Sequence, residues 1–118
     1  MRDHTKLRAF QLADEVALLI YKVSKGFPKE EVYGLTSQIR RAAVSIPSNI
    51  VEGCARASQV EYLRFLEIAY SSCKESHYQL SIAARLGYAD SKELLECELK
   101  FIETEKVLAA LIRSLRST

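Results

Sequence analysis

Tryptophan is absent, methionine occurs once, and only two prolines and four glycines interrupt 118 residues. So few turn formers leave little room for a sheet protein with many tight turns. Cysteine occurs three times, at Cys54, Cys73 and Cys97, far apart and with no Cys-x-x-Cys pair. An odd, scattered set reads as small buried hydrophobes in a reducing compartment. The paired ligands of a structural zinc site are missing, so no metal is expected. No apolar run approaches the ~20 residues that span a bilayer. The opening Met1-Arg2-Asp3-His4-Thr5-Lys6 has no apolar core of the secretory type behind it, so a cytoplasmic location is expected.

The 48% apolar and 27% charged residues describe an ordinary soluble domain, and the length suits one. Net charge is only +2, far from the footprint of a strongly basic nucleic-acid module. It is uneven, however: residues 1–59 carry nine Lys/Arg against six Asp/Glu, residues 60–118 eight against nine. A local basic patch on the first half is compatible with that balance.

The apolar pattern is helical throughout. Phe10, Ala13, Ala17, Ile20 and Tyr21 form one stripe of a first helix, and Leu12, Val16, Leu19 and Val23 an adjacent one. Gly26 and Pro28 are read as its end. A second helix follows Gly34, capped by Thr36 or Ser37, with Leu35, Ile39, Ala42, Ala43, Ile46, Ile50 and Gly53 on one face. Ser58-x-x-Glu61 is a capping box that opens a third helix with Tyr62, Leu66, Ala69, Cys73, Ser76, Leu80 and Ala83 inward, closed by Gly87. Asp90 or Ser91 caps a fourth, whose stripe includes Leu94, Cys97, Phe101, Leu108, Leu111, Ile112 and Leu115. The expected spans are about 7–25, 36–54, 59–86 and 91–116. Short connections favour antiparallel neighbours, so the expected fold is one all-α domain, an up-down-up-down four-helix bundle.

Pro47 falls inside the second helix. A proline there removes one backbone hydrogen bond, here to the carbonyl of Ala43, and its ring clashes with the preceding turn, at about 3 kcal/mol. The apolar period nevertheless continues through it, which predicts a kinked helix rather than two helices. Asn49 falls on the inward face in this reading and needs a hydrogen-bond partner, because a buried unsatisfied group costs about 1–3 kcal/mol. Pro47, Ser48, Asn49, Glu52 and Gly53 are therefore read as a structural or subunit-interface motif.

The run Phe27-Pro28, then Glu31-Val32-Tyr33-Gly34-Leu35-Thr36-Ser37-Gln38-Ile39-Arg40-Arg41-Ala42-Ala43-Val44-Ser45-Ile46-Pro47-Ser48-Asn49-Ile50-Val51-Glu52-Gly53, resembles the signature of the 23S rRNA intervening-sequence proteins, small bacterial four-helix bundles. Arg56, Ser58, Glu61, Phe65, Leu66, Ile68-Ala69, Ser72, Glu75 and Gln79-Leu80 are similar to that family's third helix. Departures are Lys6-Leu7-Arg8-Ala9-Phe10-Gln11-Leu12 for an aromatic-rich opening, Ser71 for a glycine, and Ser76-His77 for Leu and Glu. The resemblance implies assembly of copies into rings, commonly homopentamers. A related branch, the accessory variability determinant of diversity-generating retroelements, binds nucleic acid and a reverse transcriptase through a basic surface. By that analogy RNA or a ribonucleoprotein is the expected partner.

The candidate phosphate-contacting residues are Arg40, Arg41, Arg56 and Arg64, extended by Lys22, Lys25 and Lys29. The competing reading is solvated surface or ion pairing, for example Glu52 with Arg56 at i, i+4. Tyr33, Tyr62, Tyr70 and Tyr78 are candidates for stacking on bases, against ordinary packing. Catalysis has little to stand on. Glu75 and His77 are two apart and diverge around a helix, and Ser71-Ser72-Cys73 has no base or oxyanion hole near it in sequence. Carboxylate-bridged metal bundles need Glu-x-x-His on facing helices, and no such motif occurs. His77 reads as a hydrogen-bonded boundary residue. The expectation is a non-enzymatic oligomer without cofactor, membrane segment or small-molecule substrate that binds RNA. The alternative is a protein–protein scaffold with no nucleic-acid affinity.

Overall fold

The computed structural model describes residues 2–117. After a 3₁₀ turn at His4–Lys6 come α1 (Arg8–Ser24), α2 (Leu35–Cys54), α3 (Gln59–Arg85) and α4 (Ser91–Arg116), with a second 3₁₀ turn, Lys29–Glu31, between α1 and α2. No strand occurs among the described residues. The protein is an all-α four-helix bundle of 45 × 24 × 20 Å.

Each helix packs on the next in the chain, and α4 closes on α1. Pairs across the seams run in opposing order. Between α2 and α3, Gly53 meets Tyr62 and Phe65, while Ser45 meets Ser72. Between α3 and α4, Gln59 reaches the Leu115 carbonyl, and His77 reaches Glu105 and Glu98. Between α1 and α4, Arg8 pairs with Glu103 and Glu15 with Lys100.

Local chemistry sets most boundaries. Ser58 Oγ accepts the Glu61 amide at 3.1 Å and starts α3. Asp90 Oδ1 accepts the Lys92 amide at 2.8 Å and starts α4. α3 ends in a Schellman motif: the Gly87 amide donates to Ala84 and the Tyr88 amide to Ala83. Gly87 has φ +73°, the left-handed region that glycine enters without a Cβ penalty.

α1 stops at Ser24 with Lys25 as its C-cap and Gly26 next, close to the expected end. One expected cap falls elsewhere. Neither Thr36 nor Ser37 caps α2. The helix starts at Leu35, its N-cap Gly34 has no side chain to offer, and Glu31 Oε1 accepts the Leu35 amide at 3.0 Å instead. The other Glu31 oxygen accepts the Tyr88 hydroxyl at 2.8 Å, and Phe27 packs against the Tyr88 ring. One carboxylate thus caps α2 and ties the first inter-helix loop to the last. These two donors, the Leu35 amide first, hold Glu31 below the usual carboxylate range.

The core comes from the expected stripes. Leu12, Val16 and Ile20 of α1, Ile39, Ala43, Ile46 and Ile50 of α2, Leu66, Ala69, Cys73 and Leu80 of α3, and Phe101 and Leu108 of α4 are buried. Two fully enclosed polar residues join them by bonding their own helix. Ser76 Oγ donates to the Ser72 carbonyl at 2.8 Å and Thr104 Oγ1 to the Lys100 carbonyl at 2.7 Å. Tyr21, counted inward from spacing, lies at the rim, 43% exposed.

Candidate functional site

α2 runs through Pro47 as one helix, with the ring buried. Of the polar residues around it, Ser45 reaches across to α3. Ser45 Oγ and Ser72 Oγ share a hydrogen bond of 2.9 Å across the seam. Asn49 Nδ2 donates to the Ser45 carbonyl and to Ser45 Oγ, each at 2.8 Å. Asn49 is half-buried on this flank rather than on the core face assigned to it above. The inward stripe passes through Ile46 and Ile50 instead, and Asn49 lies 100° of helical rotation before Ile50. Its partner requirement is met within α2, one turn back.

Gly53 marks a close approach and not a helix end, since α2 continues to Cys54. A Cβ there would lie 2.9 Å from Phe65 Cβ and 3.3 Å from the Tyr62 carbonyl oxygen. Glu52 turns outward and pairs with Arg56 at 3.2 Å, while Ser48 is exposed. The segment Ser45–Gly53 is thus the α2–α3 joint, with Ser48 and Glu52 as its solvent edge.

The basic residues do not gather at one place. Arg40 turns to α1: its Nε donates to the buried Ser24 hydroxyl at 2.7 Å, and its guanidinium sits 4.8 Å from the Tyr21 ring centre. Its neighbour Arg41 is exposed and enters no ion pair among the described residues. Lys22 stands on the α4 side of α1, near enough for its charge to act on the Cys97 thiol. Lys25 and Lys29 are exposed beside the α1–α2 loop, where Tyr33 is 95% exposed. Arg56 and Arg64 belong to the opposite end. Fourteen residues of helical rise, about 21 Å, carry the chain from Arg40 to the end of α2 at Cys54, and Arg56 follows just beyond it. Arg56 also packs its guanidinium 4.8 Å from the Phe65 ring. Two groups emerge, an α1–α2 end with Lys22, Lys25, Lys29 and Arg41, and a smaller α2–α3 end with Arg64. Glu30 lies on the same loop, and Asp90 and Glu93 stand at the start of α4, the helix toward which Lys22 is turned.

Spacing gave no hint of a groove along α3 and α4. Two adjoining clefts of about 400 and 490 Å³ share Tyr70, Ala109 and Arg113, with Lys106 on the second and the Arg116–Glu67 ion pair on the first. Tyr70 is half-buried here, and only the α3–α4 register brings it beside Arg113.

Nucleophilic chemistry finds no support in the thiols. Burial pushes Cys73 and Cys97 up to about 12 and raises Cys54, so all three stay protonated near neutrality. Ser72 spends its hydroxyl on Ser45, and Ser76 on backbone. No group of three metal-ligating side chains occurs among the described residues. Among the described residues, no helix is long and apolar enough to cross a membrane.

Four long helices, buried unactivated thiols and a polar motif spent on helix docking define a helical-bundle protein in which nothing points to catalysis. Residues 5–110 match the model of the 23S rRNA-intervening sequence protein family, and the chain belongs to that family. It is also similar to a crystal structure from Bacteroides thetaiotaomicron, described as a protein of unknown function from the S23 ribosomal protein family. That likeness has a TM-score of 0.81 at 24% identity and covers 88% of this chain and 97% of the other. At that identity it speaks for the fold. No match was found among curated proteins.

Proposed function

We propose that this protein is a non-enzymatic, self-associating bundle that binds RNA or a ribonucleoprotein through the α1–α2 end. The observation that carries the RNA reading is the set of exposed cations there. Lys22, Lys25, Lys29 and Arg41 enter no ion pair among the described residues, and Tyr33 stands beside them with its ring in solvent. Unpaired cations release counterions from a phosphate backbone, and an exposed tyrosine offers a face for a base. Arg40 is left out because its guanidinium is spent on Ser24 and Tyr21. Arg56 and Arg64 are at the far end and form at most a separate contact.

The test is fluorescence anisotropy with a labelled single-stranded RNA. Lys22→Ala, Lys25→Ala and Arg41→Ala should each weaken binding and lower the salt slope by about 0.7. Unchanged affinity in the triple variant contradicts this reading.

Self-association is supported by apolar side chains left in solvent on α1 and α2, Leu18 at 67% and Val44 and Val51 near 40% exposed. Pro47 lies between the two valines in α2. Light scattering should give a multiple of 13.3 kDa, about 67 kDa for five copies. A monomer at micromolar concentration contradicts it. The same residues favour a second reading, a protein scaffold without nucleic-acid affinity. Protein copurifying without RNA would support that alternative.

A further inference from the structure

His77 lies on the α3 flank that faces α4, between two carboxylates. Its Nδ1 is 2.6 Å from Glu105 Oε2 and its Nε2 is 2.8 Å from Glu98 Oε2. The imidazole stacks on Phe101, ring centres 5.0 Å apart and planes within 4°. Phe101 is fully buried and falls between Glu98 and Glu105 on one face of α4. Three successive turns of α4 therefore hold one side chain of α3.

The proton count follows from the geometry. A carboxylate only accepts hydrogen bonds, and a neutral imidazole has one N–H. Two short bonds to two carboxylates require the imidazolium, with both ring nitrogens donating. When that proton leaves, a nitrogen lone pair faces a carboxylate oxygen, and one of the two contacts must open. The surroundings decide which. Glu105 is 13% exposed and keeps a second partner, Lys74 at 3.5 Å. Glu98 is 43% exposed and can turn to water.

We propose that His77, Glu98 and Glu105 form a proton-operated clasp between α3 and α4, closed with His77 protonated and released at Glu98 on deprotonation. Release acts on the first two turns of α4, Ser91 to Glu98. Those turns border an apolar cleft of about 350 Å³ lined by Leu80, Ala84, Leu94 and Leu95, with Glu98 at its edge. Opening the clasp removes the polar tie beside the cleft and leaves its apolar lining to hold that end of α4.

The charged groups around His77 are few. Glu98 and Glu105 face it from α4, and Lys74 approaches Glu105 from the preceding turn of α3. Arg85 shares the cleft with Glu98 but is bonded to Ser81. Burial pulls the imidazole down, but the hydrogen bonds to Glu105 and Glu98 outweigh it and raise His77 above its ordinary 6.5. A raised folded value means the clasp contributes fully below the unfolded value and is lost as pH rises through the folded one.

His4 is the only other histidine, so His4→Gln leaves a single imidazole to follow by NMR in the full chain. Two ring N–H signals at low pH and a midpoint above 6.5 are expected. Hydrogen exchange, corrected for intrinsic rate, should show protection of residues 91–98 falling several-fold through that midpoint, while residues 108–116 hold steady. Glu98→Gln should lower the midpoint, tenfold in proton affinity per unit, and flatten the pH dependence of residues 91–98. A midpoint at or below 6.5, or protection of 91–98 unmoved while His77 titrates, overturns the clasp.

Discussion

Replacing Gly53 by alanine tests the α2–α3 joint with one methyl group. An alanine in a helix is usually favoured over glycine by about 1 kcal/mol, because it loses less backbone entropy. At Gly53 the new Cβ would sit 2.9 Å from Phe65 Cβ and 3.3 Å from the Tyr62 carbonyl. Neither atom is the end of a flexible chain. Phe65 Cβ is bonded to the α3 backbone, so relief requires α3 to move away by about half an ångström or more. Overpacking of this kind costs about 1–3 kcal/mol. The clash therefore outweighs the propensity gain, and a net loss of about 1 kcal/mol is expected, near 4 °C in Tm for a chain of this size. Gly26 is the control: a Cβ there would meet only the Val23 carbonyl, at 3.7 Å. Denaturant unfolding at one fixed protein concentration, so that the proposed self-association does not enter the comparison, should place Gly53→Ala below wild type. Gly26→Ala should fall at or slightly above wild type. If Gly53→Ala equals or exceeds Gly26→Ala in stability, the close approach of α2 and α3 is not the reason for glycine at 53.

Leu66→Ala removes a fully buried side chain of α3 and should cost about 2–5 kcal/mol by denaturant unfolding. Arg40→Ala should destabilise by about 1 kcal/mol through the loss of Ser24 and Tyr21, whereas Arg41→Ala should stay within about 0.5 kcal/mol of wild type; equal losses would refute the different roles given to the two arginines. Because Glu31 is held below its ordinary 4.5, its contribution is present above that value and is lost as pH falls through the lowered one. Glu31→Gln should therefore flatten the acid limb of a Tm–pH curve. Pro47→Ala should keep the bundle folded and change the mass in light scattering; an unchanged mass leaves Pro47 a packing residue only.

What the sequence made legible was whatever depends on neighbours along one helix. The Tyr62–Ala83 stripe of α3 is buried at every position named for it, and Ser58 and Gly87 do the capping that their types and places suggest. What depends on a neighbouring helix was not legible. Glu31 caps α2 from four residues before its first turn, while the better capping types, Thr36 and Ser37, lie already inside the helix. Arg40 and Arg41 are the same residue on adjacent positions, and only the presence of Ser24 and Tyr21 on α1 separates their roles. Asn49 has its partner on its own helix and on the flank, because Ser45 lies one turn before it. The partners of His77 are fixed by the register of α4 against α3, which no spacing within α3 encodes. The basic residues look close in sequence order, yet a 20-residue helix carries Arg40 and Arg56 to opposite ends of the bundle.

The central claim, RNA contact through the α1–α2 end, is tested most directly by the salt dependence of binding. Anisotropy of a labelled single-stranded RNA should be measured with wild-type protein across a range of monovalent salt. Three to four cations on phosphate predict a log–log slope of about −2 to −3 per protomer, reduced in the Lys22, Lys25 and Arg41 triple variant. A slope near zero, or no binding at low salt, contradicts the account.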